Sequence, residues 1–129
     1  PLTCQYLSGR AVHIGTHSHI NDALVRGGVA VVRLFYEVEH YALLTGASKG
    51  HIYLFDPYYL AEAEPEFVRA GITVTCAHPH SYNRIVPFGC FNRETRELYA
   101  FGAMESREAV VLFDERTRRT ADDTIEYFI

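Results

Sequence analysis

Apolar and β-branched residues are densest between Val29 and Pro57, in VAVVRLFYEVEHYALLTGASKGHIYLFDP. The pattern there predicts three successive strands. Val29 to Tyr36 is a near-continuous apolar run, the signature of a strand covered on both faces. His40 to Gly46 and His51 to Asp56 follow, joined by the turn-prone Ala47-Ser48-Lys49-Gly50. If the last two strands form a hairpin centred on Ser48, Leu44 faces Ile52, Ala42 faces Leu54, and His40 faces Asp56. All six side chains then share one face, because side chains alternate along a strand.

On either side the pattern is weaker. Thr3 to Leu7 is β-capable and ends in the turn signal Ser8-Gly9, and Val12 to Ile14 reads as another short strand. Ser18 is placed to cap a helix with Ile20, Ala23 and Leu24 on one face, and Gly27 is placed to stop it. Beyond Pro57, the segment Leu60 to Ala70 predicts a loop with a short helix at Glu66 to Arg69. ITVTCA and Tyr82 to Val86 read as strands, and Pro87 with Phe88 and Phe91 as a single helical turn. Leu98 to Phe101 and Ala109 to Phe113 complete the strands. The sum is an α+β fold, mostly antiparallel sheet with one or two short helices. A single domain over residues 1–115 is expected, with residues 116–129 as a polar tail ending in IEYFI that either docks back or stays disordered.

Composition narrows the functions open to such a fold. The chain has 129 residues, 48% of them hydrophobic, which is enough for one real core. A formal net charge of -4 and no Lys/Arg cluster argue against a nucleic-acid partner. The densest basic stretch, Arg116 to Arg119, is flanked by Asp114, Glu115, Asp122 and Asp123. No apolar run approaches the roughly 20 residues of a membrane span. Three cysteines, Cys4, Cys76 and Cys90, form no CxxC pair and predict a reduced, cytoplasmic protein with its thiols buried rather than bridged. The chain opens at Pro1 and enters a strand at once, so a processed product or a remnant of a longer chain is expected.

Candidate chemistry is concentrated at the open end of the central hairpin. His40 beside Asp56, over an otherwise aliphatic face, is the arrangement of a base and its orienting acid. The same pair also reads as two polar strand-end residues meeting solvent. Tyr53, Tyr58 and Tyr59 near Asp56 either wall a ligand groove or form core and rim. A metal is not expected, although His13, His17 and His19 lie close and His78 and His80 flank a proline. Gly15 breaks helical pairing of His13 with His17, and no cysteine sits at ligand spacing. Dinucleotide, P-loop, serine-hydrolase and zincin motifs are all missing, so no cofactor is expected.

The segment GGVAVVRLFYEVEHYALLTGASKGHIYLFDPYY resembles the C-terminal half of C39-like cysteine peptidases, within the papain-like superfamily. YNRIVP, LYAFG and REAVVLF are similar to the tail of a bacterial C39-like group, so the resemblance spans roughly Cys4 to Phe113. It implies that His40, opening its strand, is the catalytic base and that Asp56, in the DP pair, orients it. It also implies a nucleophilic Cys opening a helix, with a Gln just before it helping to form the oxyanion hole. Nothing here matches that element. Cys4 lies in TCQYL with no helix behind it, Cys76 ends ITVTC, and Cys90 follows a glycine in a short turn.

Three expectations follow. The first is the C-terminal portion of a thiol peptidase or amide hydrolase, or an acyltransferase, acting on a peptide or small acyl substrate, with its Cys upstream of Pro1. The second is an inactive peptide- or ligand-binding module of the same fold. The third is a chain complete only as a homo-oligomer, which covers the face bearing Ala42, Leu44, Ile52 and Leu54.

Overall fold

The computed structural model describes residues 2–114. In chain order the elements are β1 (Leu2–Ser8), α1 (His19–Val25), β2 (Val29–Tyr36), β3 (Val38–Ser48), β4 (His51–Phe55), α2 (Pro65–Ala70), β5 (Thr73–Val74), β6 (Arg84–Pro87), α3 (Phe88–Phe91) and β7 (Glu108–Asp114). Single 3-10 turns at Gly9–Ala11 and Met104–Ser106 complete the set. The seven strands form one sheet in the order β1-β7-β2-β3-β4-β6-β5, antiparallel at every pairing. The fold is therefore α+β, as the sequence pattern predicts.

The helix α1 forms where the capping residue dictates. Ser18 Oγ accepts from the backbone N–H groups of Ile20 and Asn21, satisfying two donors that a helix start leaves orphaned. Ile20, Ala23 and Leu24 are buried against β2, β3 and β7. Gly28 carries the chain from helix to sheet so closely that a Cβ there would lie 2.6 Å from the Leu112 carbonyl oxygen.

One face of the sheet is dry. Ala30, Val32 and Leu34 of β2 join Ala42, Leu44, Ile52 and Leu54, with Phe67, Phe91 and Phe101 packed over them in one cluster. Each fully buried Leu or Ile contributes about 1.5–3 kcal/mol of transfer free energy. The face whose exposure motivated an oligomer is thus covered by this chain's own helices and loops, with Ala42 only 3% exposed and Leu44, Ile52 and Leu54 at 0%. The other face of β2 is only partly covered, since Val31 and Arg33 are half-buried while Val29 and Phe35 are buried.

The hairpin register differs from the expected one. Its turn is Lys49-Gly50, so Ser48 pairs with His51, Ala47 with Ile52 and Gly46 with Tyr53. A bulge at Thr45 then shifts the pairing to Leu44 with Leu54 and Leu43 with Phe55. The left-handed φ of 89° at Gly50 permits the tighter turn. The bulge inserts one residue and so keeps both Leu44 and Ala47 on the core face.

Other sequence expectations are also corrected. Val12 to Ile14 is irregular, and ITVTCA pairs only at Thr73–Val74. Leu98 to Phe101 is not a strand. Tyr99 N–H and Ala100 C=O bond across to Phe35, but Tyr99 has a left-handed φ of 61° that ends regular pairing. Cys90 is buried, whereas Cys4 and Cys76 are exposed; all three are free. No helix among the described residues is long and apolar enough to cross a membrane. Residues 115–129, including the expected polar tail, lie outside the described residues.

Candidate active site

His40 sits on the core face of β3, opposite Leu34 of β2 and one diagonal step from Tyr36. Asp56 immediately follows β4. Continuing the β3–β4 register places Asp56 beside Ala42 rather than beside His40. The imidazole spans that diagonal, as long side chains do across antiparallel neighbours. His40 Nε2 lies 3.1 Å from Asp56 Oδ2. The predicted pair is therefore made, although the predicted register is not.

Asp56 is fully buried and every part of it is held. Its Oδ2 also accepts from the Tyr99 hydroxyl at 2.6 Å, and its Oδ1 from the Tyr58 backbone N–H at 2.9 Å. The Asn83 side-chain amide brackets its main chain, accepting from Asp56 N–H and donating to Asp56 C=O, both at 2.8 Å. Burial alone pushes this carboxyl up. The hydrogen bonds from His40, Tyr99 and Tyr58 outweigh it and hold the group below its ordinary value, so it is a carboxylate.

Arg84 stands behind this layer. It is fully buried, donates from Nε to the Tyr99 hydroxyl at 3.0 Å, and fastens the Tyr58 and Asn83 carbonyls with its two other nitrogens. Its guanidinium lies over the Phe67 ring at 5.7 Å from the centroid. One buried cation thus orders the phenol and both backbone segments that grip Asp56. Burial, and then the Asp56 charge, push the Tyr99 phenol well above its usual value, which keeps it a donor.

The tautomer of His40 follows from these partners. An ionised carboxylate can only accept, so Nε2 carries the proton. In the neutral ring Nδ1 then holds the lone pair, and it has no hydrogen-bond partner among the described residues. A buried nitrogen left unpaired is costly and rare. Aromatic rings frame it, with Tyr36 at 6.0 Å and Tyr99 at 6.2 Å between centroids.

In front of the pair lies a cavity of about 480 Å³, walled by Tyr36, Glu37, His40, Tyr41, Tyr58 and Glu64 among others. Of Tyr53, Tyr58 and Tyr59, which the sequence leaves open between groove wall and core or rim, only Tyr58 lines the cavity among the described residues. Tyr53 packs on Tyr82 in a tilted arrangement, 4.7 Å between centroids, and Tyr59 is 72% exposed. Tyr36 donates to Glu64, and burial followed by that bond raises its phenol well above the usual value.

None of the three cysteines reaches the imidazole. Cys4 is on β1, three strands from β3. Cys76 Sγ is directed to the Leu60 and Ala61 carbonyls, and Cys90 Sγ to that of Ala70. Burial pushes the Cys90 thiol up, away from thiolate chemistry. No group of three or more metal-ligating side chains converges among the described residues. Comparisons with family models, curated proteins and solved structures gave no match.

Sequence reasoning found His40 and Asp56 but missed Tyr99, Arg84 and Asn83. None of the three carries a local mark, since an arginine opening the β-run RIVP reads as a strand-end charge until the fold buries it.

Proposed function

We propose that this chain is the base-bearing portion of a C39-like thiol peptidase or amide hydrolase, with the nucleophilic Cys on a segment preceding Pro1. His40 Nδ1 takes the thiol proton, and the thiolate adds to the acyl carbonyl. The tetrahedral adduct expels an amine that leaves with the same proton. Water then cleaves the thioester by the mirror sequence, giving the acid and regenerating the thiol. Asp56 keeps Nε2–H in place throughout and stabilises the imidazolium.

The observation that carries this reading is the state of the ring. Nε2 is tied to a buried carboxylate, and Nδ1 is left without a partner. Nδ1 is screened from solvent in this conformation, so approach of the thiol requires a tip of the imidazole or of a flanking ring. Three unbridged thiols suit a cytoplasmic setting.

Alkylation of the extended gene product with iodoacetamide tests the reading. One upstream Cys should react rapidly at neutral pH, and His40→Ala should slow it at least about tenfold. Equal rates in both proteins overturn the reading.

A second reading is a ligand-binding module without turnover. It is favoured by the formed cavity and by the partners of the Cys76 and Cys90 thiols, which are backbone carbonyls and not His40. Amide or thioester hydrolysis by the 129-residue chain alone excludes it.

A further inference from the structure

The walls of the cavity have a chemistry that the acid–base pair does not use. Tyr36 and Tyr58 meet edge to face at 5.5 Å with an interplanar angle of 85°, so they form two walls at nearly right angles. Tyr41 and Tyr58 extend this to the rim, at 57% and 58% exposure. Glu37 and Glu64 add two carboxylates to the same lining, and none of the described lining residues is Lys or Arg. Neither glutamate has a basic partner among the described residues. Glu64 accepts the Tyr36 hydroxyl with one oxygen and keeps acceptor capacity on the other. Asp56, held by His40 and the Tyr99 hydroxyl, is a third carboxylate in the lining, so the acidic side chains set the sign of the field in the cavity.

We propose that this cavity takes a positively charged side chain, the lysine or arginine of a peptide whose neighbouring acyl group is presented to His40. The inference rests on the catalytic reading only for the word "acyl"; the cation site stands on the cavity alone. Aromatic faces attract ammonium and guanidinium groups through the ring quadrupole, and carboxylates at the rim add directional charge-assisted bonds. A volume of about 480 Å³ lies within the range of small-ligand clefts, roughly 300–1,000 Å³. An acidic side chain would face two carboxylates, and a neutral one would leave both without a counter-charge.

The test uses the 129-residue chain and three probes, Nα-acetyl-arginine amide, Nα-acetyl-lysine amide and Nα-acetyl-norleucine amide, titrated by NMR. The cationic probes should shift the backbone amides of Tyr36, Glu37, His40 and Tyr58 and bind about tenfold tighter than norleucine amide. Raising salt from about 50 to about 500 mM should weaken only the cationic probes. The double variant Glu37→Gln, Glu64→Gln should remove the preference. Glutamine still accepts from Tyr36, so the wall is preserved.

Equal binding of norleucine amide, or no shift of these amides with any probe, overturns the inference. The two readings fail separately. Cationic binding without His40-dependent thiol reactivity in the extended product keeps the site and removes the hydrolase. His40-dependent turnover with a preference for neutral residues does the reverse.

Discussion

Replacing Tyr99 by Phe deletes a single oxygen from the centre of the site and leaves the ring in place. That oxygen donates to Asp56 at 2.6 Å and accepts from Arg84 Nε at 3.0 Å. A hydrogen bond to a charged group is worth about 1.5–3 kcal/mol, and a stranded buried donor costs about 1–3 kcal/mol. Both partners are charged and fully buried, so the expected loss is about 3–4 kcal/mol, read by urea unfolding at pH 7. The left-handed backbone at position 99 is unaffected, because Phe and Tyr meet the same restriction.

The loss should also depend on pH. Asp56 has a folded-state value below its unfolded one of about 3.9, so its contribution is complete above that value. It is lost as pH falls through the folded value. Without the Tyr99 bond the folded value rises. The stability gap between the two proteins is therefore constant from pH 7 to about 5 and narrows below about pH 4. Tyr58→Phe, altering an exposed hydroxyl, should change stability by less than about 0.5 kcal/mol. A Tyr99→Phe loss under about 1 kcal/mol, or a gap unchanged on acidification, would refute the network.

Two further predictions concern the frame that carries the site. Ser18→Ala removes the cap of α1 and a donor to the His13 carbonyl, and should cost about 1–2 kcal/mol in the same unfolding assay. Gly28→Ala places a methyl 2.6 Å from a backbone oxygen of β7 and 2.8 Å from Phe113 Cβ, with no flexible side-chain end to yield. It should cost about 1–3 kcal/mol or more and lower the melting temperature by at least several degrees.

Local signals were legible in the sequence and long-range ones were not. Ser18, the Ile20/Ala23/Leu24 face and the bounds of β2 follow from patterns within a few residues, and the structure repeats them. The β3–β4 pairing is visible as a hairpin, but the Lys49-Gly50 turn and the bulge at Thr45 set a register that alternation alone does not fix. The insertion of β7 between β1 and β2 carries no local mark, since its alternation fits any strand position. His40 and Asp56 stood out because polar residues ended apolar strands. Tyr99 and Arg84 did not, because an aromatic in LYAF and an arginine opening RIVP look like ordinary sheet residues until the fold brings them behind Asp56. Proximity of Tyr99 to Asp56 is a contact across 43 positions, which periodicity cannot express.

Whether His40 can act as the base depends on which of its nitrogens carries the proton. Long-range ¹⁵N–¹H correlation on the uniformly labelled 129-residue chain, near pH 8, reads this directly. The Nε2–H tautomer is predicted, with Nδ1 unprotonated and the Nε2 proton shifted downfield by its bond to Asp56, a shift that Asp56→Asn reduces. A ring protonated on Nδ1 would contradict the account, because the nitrogen assigned as the base would then have no lone pair to offer.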